Sequence, residues 1–325
     1  MLVTANDEGG QTPGVRRTKV IRLLASAAAV LLVVPLLGLT GFIAYYKSEN
    51  APEPHPNPVL AAPPGHLPRP AAEPYTGPHP ANKEWLPESF PFPIAVGSTG
   101  PVQSLNAAPP EYPFACMTED SGLGPPLADN QQGIGVATDG GYSKDCLAPT
   151  QVQYFYRDRN SGEFLAVPAK GTVDAAEILI NGEAVPYIVR VETGTINRFA
   201  YLLMALGDPS DDVEAPSSAH WNGKLVYQFR GGVGIGRRQG RIRVTRMLGR
   251  RHDVLSRGYA VAYSTANQTS NHYDVALAWD TAMRVKRQFT ARYGEPEYTV
   301  GIGGSGGAIQ QYLISQNYPG LLDAG

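Results

Sequence analysis

The residues best suited to chemistry sit near the C-terminus, in Gly303-Gly304-Ser305-Gly306-Gly307. A serine with glycines two positions before and two after it has the spacing of a nucleophile elbow, a strained turn between a strand and a helix. Side chains at those flanking positions would strike neighbouring backbone. Glycine removes both clashes and permits positive φ. The first amides of the following helix lack intrahelical partners, so they point to where an oxyanion forms during acyl transfer. This assigns Ser305 as nucleophile and the Gly306 N–H as an oxyanion donor. In a chain with 36 glycines the spacing alone decides little. The context adds weight, because residues 298–302 read as a short apolar strand and a helix opens after the serine.

A second glycine-rich stretch, Arg230-Gly231-Gly232-Val233-Gly234-Ile235-Gly236, follows an apolar run at 224–229. A loop directly after a strand and upstream of the elbow is where a second oxyanion donor is placed, here the backbone N–H of Gly232 or Val233. A dinucleotide loop does not fit, since no G-x-G-x-x-G register fits in this stretch. A phosphate-binding Walker loop does not fit either, since no Gly-Lys-Ser/Thr follows.

The elements that must position these loops can be read around them. Residues 258–263 form a buried-type strand. Asp274 is placed to cap a helix whose apolar residues Val275, Ala278, Trp279, Ala282, Val285, Phe289 and Tyr293 recur at helical spacing, with Gly294 and Pro296 beyond it. The order is strand, glycine loop, helix, strand, helix, strand, serine turn, helix. That order predicts a doubly wound parallel sheet with its site at the carboxyl ends of the strands. A β-rich region comes first. Residues 152–156 and 164–167 pair around Asn160-Ser161-Gly162, residues 176–180 and 184–191 form a hairpin through Asn181-Gly182, and 198–206 is a further apolar run.

The N-terminal third is different. Residues 1–19 are polar, with Arg16, Arg17 and Lys19. Residues 20–46 are almost wholly apolar and end in Tyr45-Tyr46, followed by Lys47. From 23 to 46 a helix would span about 36 Å, enough for a bilayer of about 30 Å. The reading is an uncleaved signal anchor in the cell membrane, with residues 1–19 cytoplasmic and the remainder exported. Residues 47–93 are a Pro-rich spacer, and the stretch 50–93 carries about half of the 29 prolines. Export makes a Cys116–Cys146 disulfide the expectation, stapling a loop-like region at 94–150 ahead of the main domain at 151–325. No Cys/His cluster suggests a metal, and no cofactor is implied. A net charge of −2 offers no electrostatic case for nucleic acid.

Residues 237–257 hold eight arginines. Two readings stay open for them: an arginine-laced solvated helix, or a cationic mouth for an anionic ligand.

From about residue 113 the chain resembles the bacterial tannase-like family of unknown function, a branch of the α/β-hydrolases. The likeness is carried by Gly122-Leu123-Gly124-Pro125-Pro126, by residues 185–198 (VPYIVRVETGTINR), by Trp221-Asn222-Gly223-Lys224-Leu225-Val226-Tyr227, by Leu255-Ser256-Arg257-Gly258-Tyr259-Ala260-Val261-Ala262, and by residues 303–311 through 317–323. The resemblance implies a serine hydrolase of carboxylic esters with Ser305 as nucleophile and a small-molecule ester as substrate; with the anchor read at 20–46, the hydrolase would be membrane-anchored. It covers the front of the family domain, so an incomplete α/β-hydrolase sheet is expected. True tannases carry a cysteine beside the serine; here Gly304 stands there, so tannase activity is not carried over. In this fold the acid and histidine follow the serine in the chain. After Ser305 there is no histidine, and Asp323 is the one acid. The expectation is that the triad's acid and base are absent from this sequence. A rearranged triad would have to use His220, His252 or, best placed, His272. The alternative from another class is a non-catalytic envelope module that binds an anion.

Overall fold

A computed structural model of the chain describes residues 89–102, 114–234 and 238–325. The expected cytoplasmic tail at 1–19, the expected anchor at 20–46 and most of the expected spacer at 47–93 lie outside the described residues. Among the described residues, no helix is long and apolar enough to cross a membrane.

The strands in chain order are β1 (Val136–Thr138), β2 (Gly141–Ser143), β3 (Gln151–Arg157), β4 (Phe164–Ala166), β5 (Glu177–Ile180), β6 (Glu183–Pro186), β7 (Ile188–Ile196), β8 (Phe199–Leu206), β9 (Lys224–Arg230), β10 (Ala260–Gln268) and β11 (Tyr298–Ile302). The helices are α1 (Val244–Leu255), α2 (Val275–Tyr293) and α3 (Gly306–Asn317). Seven strands join in the order β11-β9-β10-β8-β7-β3-β4, while β1-β2 and β5-β6 are separate two-stranded ribbons.

The sheet is mixed, which corrects the expectation of a parallel sheet preceded by a separate β region. Only β10, β9 and β11 run parallel to one another. The cause is local. Asn197 and Arg198 both take positive φ, +51° and +71°, and a two-residue turn of that hand sends the chain back antiparallel. β8 therefore returns along β7 and then pairs antiparallel with β10. The expected 184–191 strand also divides. β6 stops at Pro186, and Tyr187 packs edge-on against Phe164 before β7 enters the main sheet. The β3–β4 pairing around Asn160-Ser161-Gly162 is as expected.

Successive residues along β9 face opposite sides. Leu225, Tyr227 and Phe229 pack toward α2 and α3 with Trp279, Phe289 and Ile314. Val226 packs toward α1 with Met247, Leu248 and Leu255, joined by Val261 and Tyr263 from β10. Helices thus cover both faces of the parallel segment. Asp274 caps α2 as its position predicts, accepting from Leu277 N at 3.0 Å.

The path around β9 makes a crevice. After β9 the chain passes through α1 on one face and returns as β10. It then passes through α2 on the other face and returns as β11, on the far side of β9. Loops leaving adjacent β9 and β11 diverge to opposite faces, which is the switch-point geometry where α/β sheets bind ligands.

Cys116 and Cys146 form the expected disulfide across 30 residues, a closure that contributes roughly 3–4 kcal/mol in the chain-entropy account. Buried Gln239 ties both ends of it to the segment before α1. Its side chain accepts from Met117 N at 2.7 Å and donates to Cys146 O at 2.8 Å.

Candidate functional site

Ser305 lies at the carboxyl end of β11, exposed, with φ +57° and ψ −129°. A non-glycine residue in that region carries roughly 1–3 kcal/mol of strain, and such strain concentrates at functional turns. The flanking glycines are required by sterics. A Cβ on Gly303 would come 2.7 Å from Phe229 O, and one on Gly307 would come 3.1 Å from Arg230 N. The elbow therefore lies directly against the end of β9, and β9 pairs in register with β11 from Lys224–Tyr298 to Gln228–Ile302.

The glycine loop after β9 forms the second wall. A Cβ on Gly231 would sit 2.8 Å from Ser305 Cβ and 2.9 Å from Gly306 N. The closest approach is thus made by Gly231, one residue before the Gly232 and Val233 read from the sequence. Gly232 has φ +134°, and a Cβ there would meet Ser270 at 2.9 Å. Val233 is 95 % exposed at the loop crest.

A third wall was not anticipated. The loop following β10 carries Thr269, whose Oγ1 donates to Gly232 O at 2.6 Å and whose N–H donates to Arg230 O at 3.2 Å. A Cβ on Gly306 would overlap Thr269 Oγ1. Thr269 therefore clamps the glycine loop to the elbow. Tyr273 adds a second tie, its hydroxyl accepting from Gly234 N at 2.8 Å. Gln310 and Gln311 hold the other side. Gln310 Nε2 donates to Arg230 O at 3.3 Å and Gln311 Nε2 to Gly303 O at 3.2 Å. Adjacent glutamines after a serine turn were the available signal. Thr269 had none, because its partner is 37 residues away.

Ser305 Oγ has no hydrogen-bond partner among the described residues. His272 does not approach it. Its ring is buried against Phe199 at 4.9 Å, and its Nδ1 accepts from Asp274 N at 3.2 Å. Burial lowers its pKa to about 4, with the nearby Arg198 cation adding to the fall while the nearby Ala266 backbone and the Asp274 charge oppose it. It is a neutral core histidine, and the rearranged triad through His272 is set aside. His220 precedes β9 and His252 ends α1, so both lie toward the amino ends of the parallel strands. Asp323 accepts from Thr299 N at 2.7 Å, near the start of β11 and away from the serine. No group of three metal-ligating side chains occurs among the described residues.

Beside the elbow, on the α1 face, opens a cavity of about 420 Å³. Arg230, Arg238, Arg241, Arg243, Arg246 and Arg250 line it, with Tyr263, Gln268 and Asn271. α1 is a partly exposed helix, and its first turns also face this cavity.

The described domain is a mixed α/β layer structure with a strained serine turn at the carboxyl ends of three parallel strands. Residues 95–325 match the tannase-like family of unknown function, and the chain belongs to that family. No curated protein matches it.

Proposed function

We propose that this chain carries the nucleophile portion of an exported, membrane-anchored serine hydrolase acting on carboxylic esters, built on an α/β-hydrolase-type sheet. The observation that carries the reading is the positive φ of Ser305 between Gly303, where a Cβ would clash, and Gly307, where one would be tight, at a switch point beside a glycine loop. Ser305 Oγ would attack the ester carbon. The carbonyl electrons move to oxygen, which Gly306 N–H and the Gly232 or Val233 N–H receive. Collapse expels the alcohol, and water then releases the acid from the acyl-serine. The Oγ proton requires a base from outside the described residues, since none reaches it here. Anchoring by residues 20–46 and export of the domain fit the Cys116–Cys146 bond, which persists in oxidising compartments.

A second reading has its own support. A serine without a base, beside a cavity lined by arginines, also fits an envelope module that binds an anion without turning it over. Fluorophosphonate treatment followed by peptide mass spectrometry separates the two. The hydrolase reading expects a slow adduct on Ser305, abolished in Ser305→Ala, because oxyanion donors alone retain roughly 10³–10⁴-fold over water. No adduct after prolonged exposure favours the binding module.

A further inference from the structure

The arginine cavity is not used by the acyl chemistry above, and its construction argues for a ligand. Between the glycine loop and α1, exposed arginines share the chain with buried anchors: Arg238, Arg241 and Arg243 are exposed, while Gln239, Gly240 and Ile242 are buried. The anchors are fixed. Gln239 bonds to both sides of the disulfide. Gly240 is pressed on Asn271, where a Cβ would overlap the side-chain amide. Ile242 N donates to Ser121 Oγ at 3.1 Å. A rigid backbone thus presents three guanidinium groups, and Arg246 and Arg250, one helical turn apart on α1, add two more.

None of the six arginines lining the cavity forms an ion pair among the described residues, and no carboxylate lines it. Arg238 bonds only to neutral oxygens, those of Asn271 Oδ1 and Ser270 O. Arg243 and Arg246 stand at the amino end of α1, which has no acidic residue in its first turn and no side-chain cap. Cations there oppose the helix dipole, and an anion would be favoured by both the dipole and the arginines. Arg230 and Gln268 are register partners at the ends of β9 and β10, so the cavity floor is one residue from Gly231 and from Thr269, which touch the elbow.

We infer that this cavity binds a multiply charged oxyanion, and that the anion is part of the ester presented to Ser305. Guanidinium forks meet phosphate and carboxylate oxygens equally well in geometry, and several forks favour a ligand with more than one negative charge. The size suits a small molecule. The first half of the inference stands on the cavity alone; the second rests on the hydrolase reading.

Titration calorimetry on the full chain tests the first half, with inorganic pyrophosphate, citrate and acetate as probes. Pyrophosphate or citrate should bind at least tenfold more tightly than acetate, and whichever binds better identifies a phosphoryl or a carboxylate ligand. The double variant Arg246→Gln/Arg250→Gln should weaken binding at least tenfold with its melting temperature retained. Arg257→Gln, exposed and outside the cavity, should leave binding unchanged. Equal weak binding of all three probes, or an equal loss in Arg257→Gln, overturns the site. The second half is read by fluorophosphonate labelling with the tighter probe present. Slower labelling of Ser305 supports it, and an unchanged rate overturns it while leaving the cavity site standing. Absence of any label with intact anion binding counts against the hydrolase reading instead.

Discussion

Arg190 and Arg292 lie under one face of the sheet, and the six cavity arginines lie on the other. The buried pair is neutralised. Arg190 Nη2 is 3.0 Å from Glu192 Oε2, Arg292 Nε is 3.3 Å from the same oxygen, and Arg292 Nη1 is 2.6 Å from Glu214 Oε2. Gln288 and Tyr201 donate to the second Glu192 oxygen at 2.6 and 3.1 Å. The network also ties distant chain, since Arg292 Nη2 donates to Ile94 O and Glu214 accepts from Val96 N. In the cavity no carboxylate answers the charge. The same side chain therefore serves as internal mortar where acids accompany it, and as a receptor where they do not. Burial decides which is affordable: an uncompensated guanidinium is tolerated near water but not in a core.

Removing the shared carboxylate should produce the largest change. Glu192→Ala strands the buried Arg190 cation, leaves Arg292 with Glu214 alone, and should destabilise the domain by about 3–5 kcal/mol, seen as a large fall in the denaturant midpoint. A midpoint within error of the parent would mean the buried arginines do not depend on Glu192.

His272 supplies the next effect. Its folded pKa of about 4 lies below the ordinary 6.5, so the unfolded chain takes up a proton that the folded chain refuses. Its contribution is full above pH 6.5 and is lost as pH falls toward 4. At about 1.4 kcal/mol per pKa unit this amounts to about 3 kcal/mol. Stability curves for His272→Gln should be flatter than the parent over that window, and parallel curves would show that the imidazole is not held neutral.

These two effects mark what the sequence could and could not disclose. The elbow was legible because its demand is local: glycine two residues either side of Ser305 is imposed by Phe229 O and Arg230 N, which any such turn encounters. The helix at 275–293 was legible from its cap and its periodicity. The sheet was harder. In β7, Arg190 and Glu192 interrupt what would be an apolar pattern, and they are met by Tyr293 and Gln288, about a hundred residues later. The direction of β8 turned on the backbone hand of Asn197-Arg198, which composition does not reveal. Histidine spacing placed His272 near the right strand end, yet only packing shows its ring turned into the core against Phe199.

Smaller substitutions sharpen the contrast. Ser305→Gly should raise stability by about 1 kcal/mol by releasing positive-φ strain, whereas Ser305→Ala should not. Equal stability of the two would deny that the turn is strained. Arg246→Gln should change stability by less than about 0.5 kcal/mol, with any gain largest at low salt, where cavity repulsion is least screened. A clear loss on thermal melting would place Arg246 with the structural arginines instead.

The turn proposed to carry the nucleophile is built and strained, and no base reaches Ser305 among the described residues. Its most direct test is the rate of fluorophosphonate labelling of Ser305 as free imidazole is added. Labelling should be slow, rise in proportion to imidazole free base and disappear in Ser305→Ala. Rapid labelling that ignores imidazole would contradict it by revealing a base already in place, and no labelling at any imidazole concentration would contradict it by removing Ser305 from the chemistry.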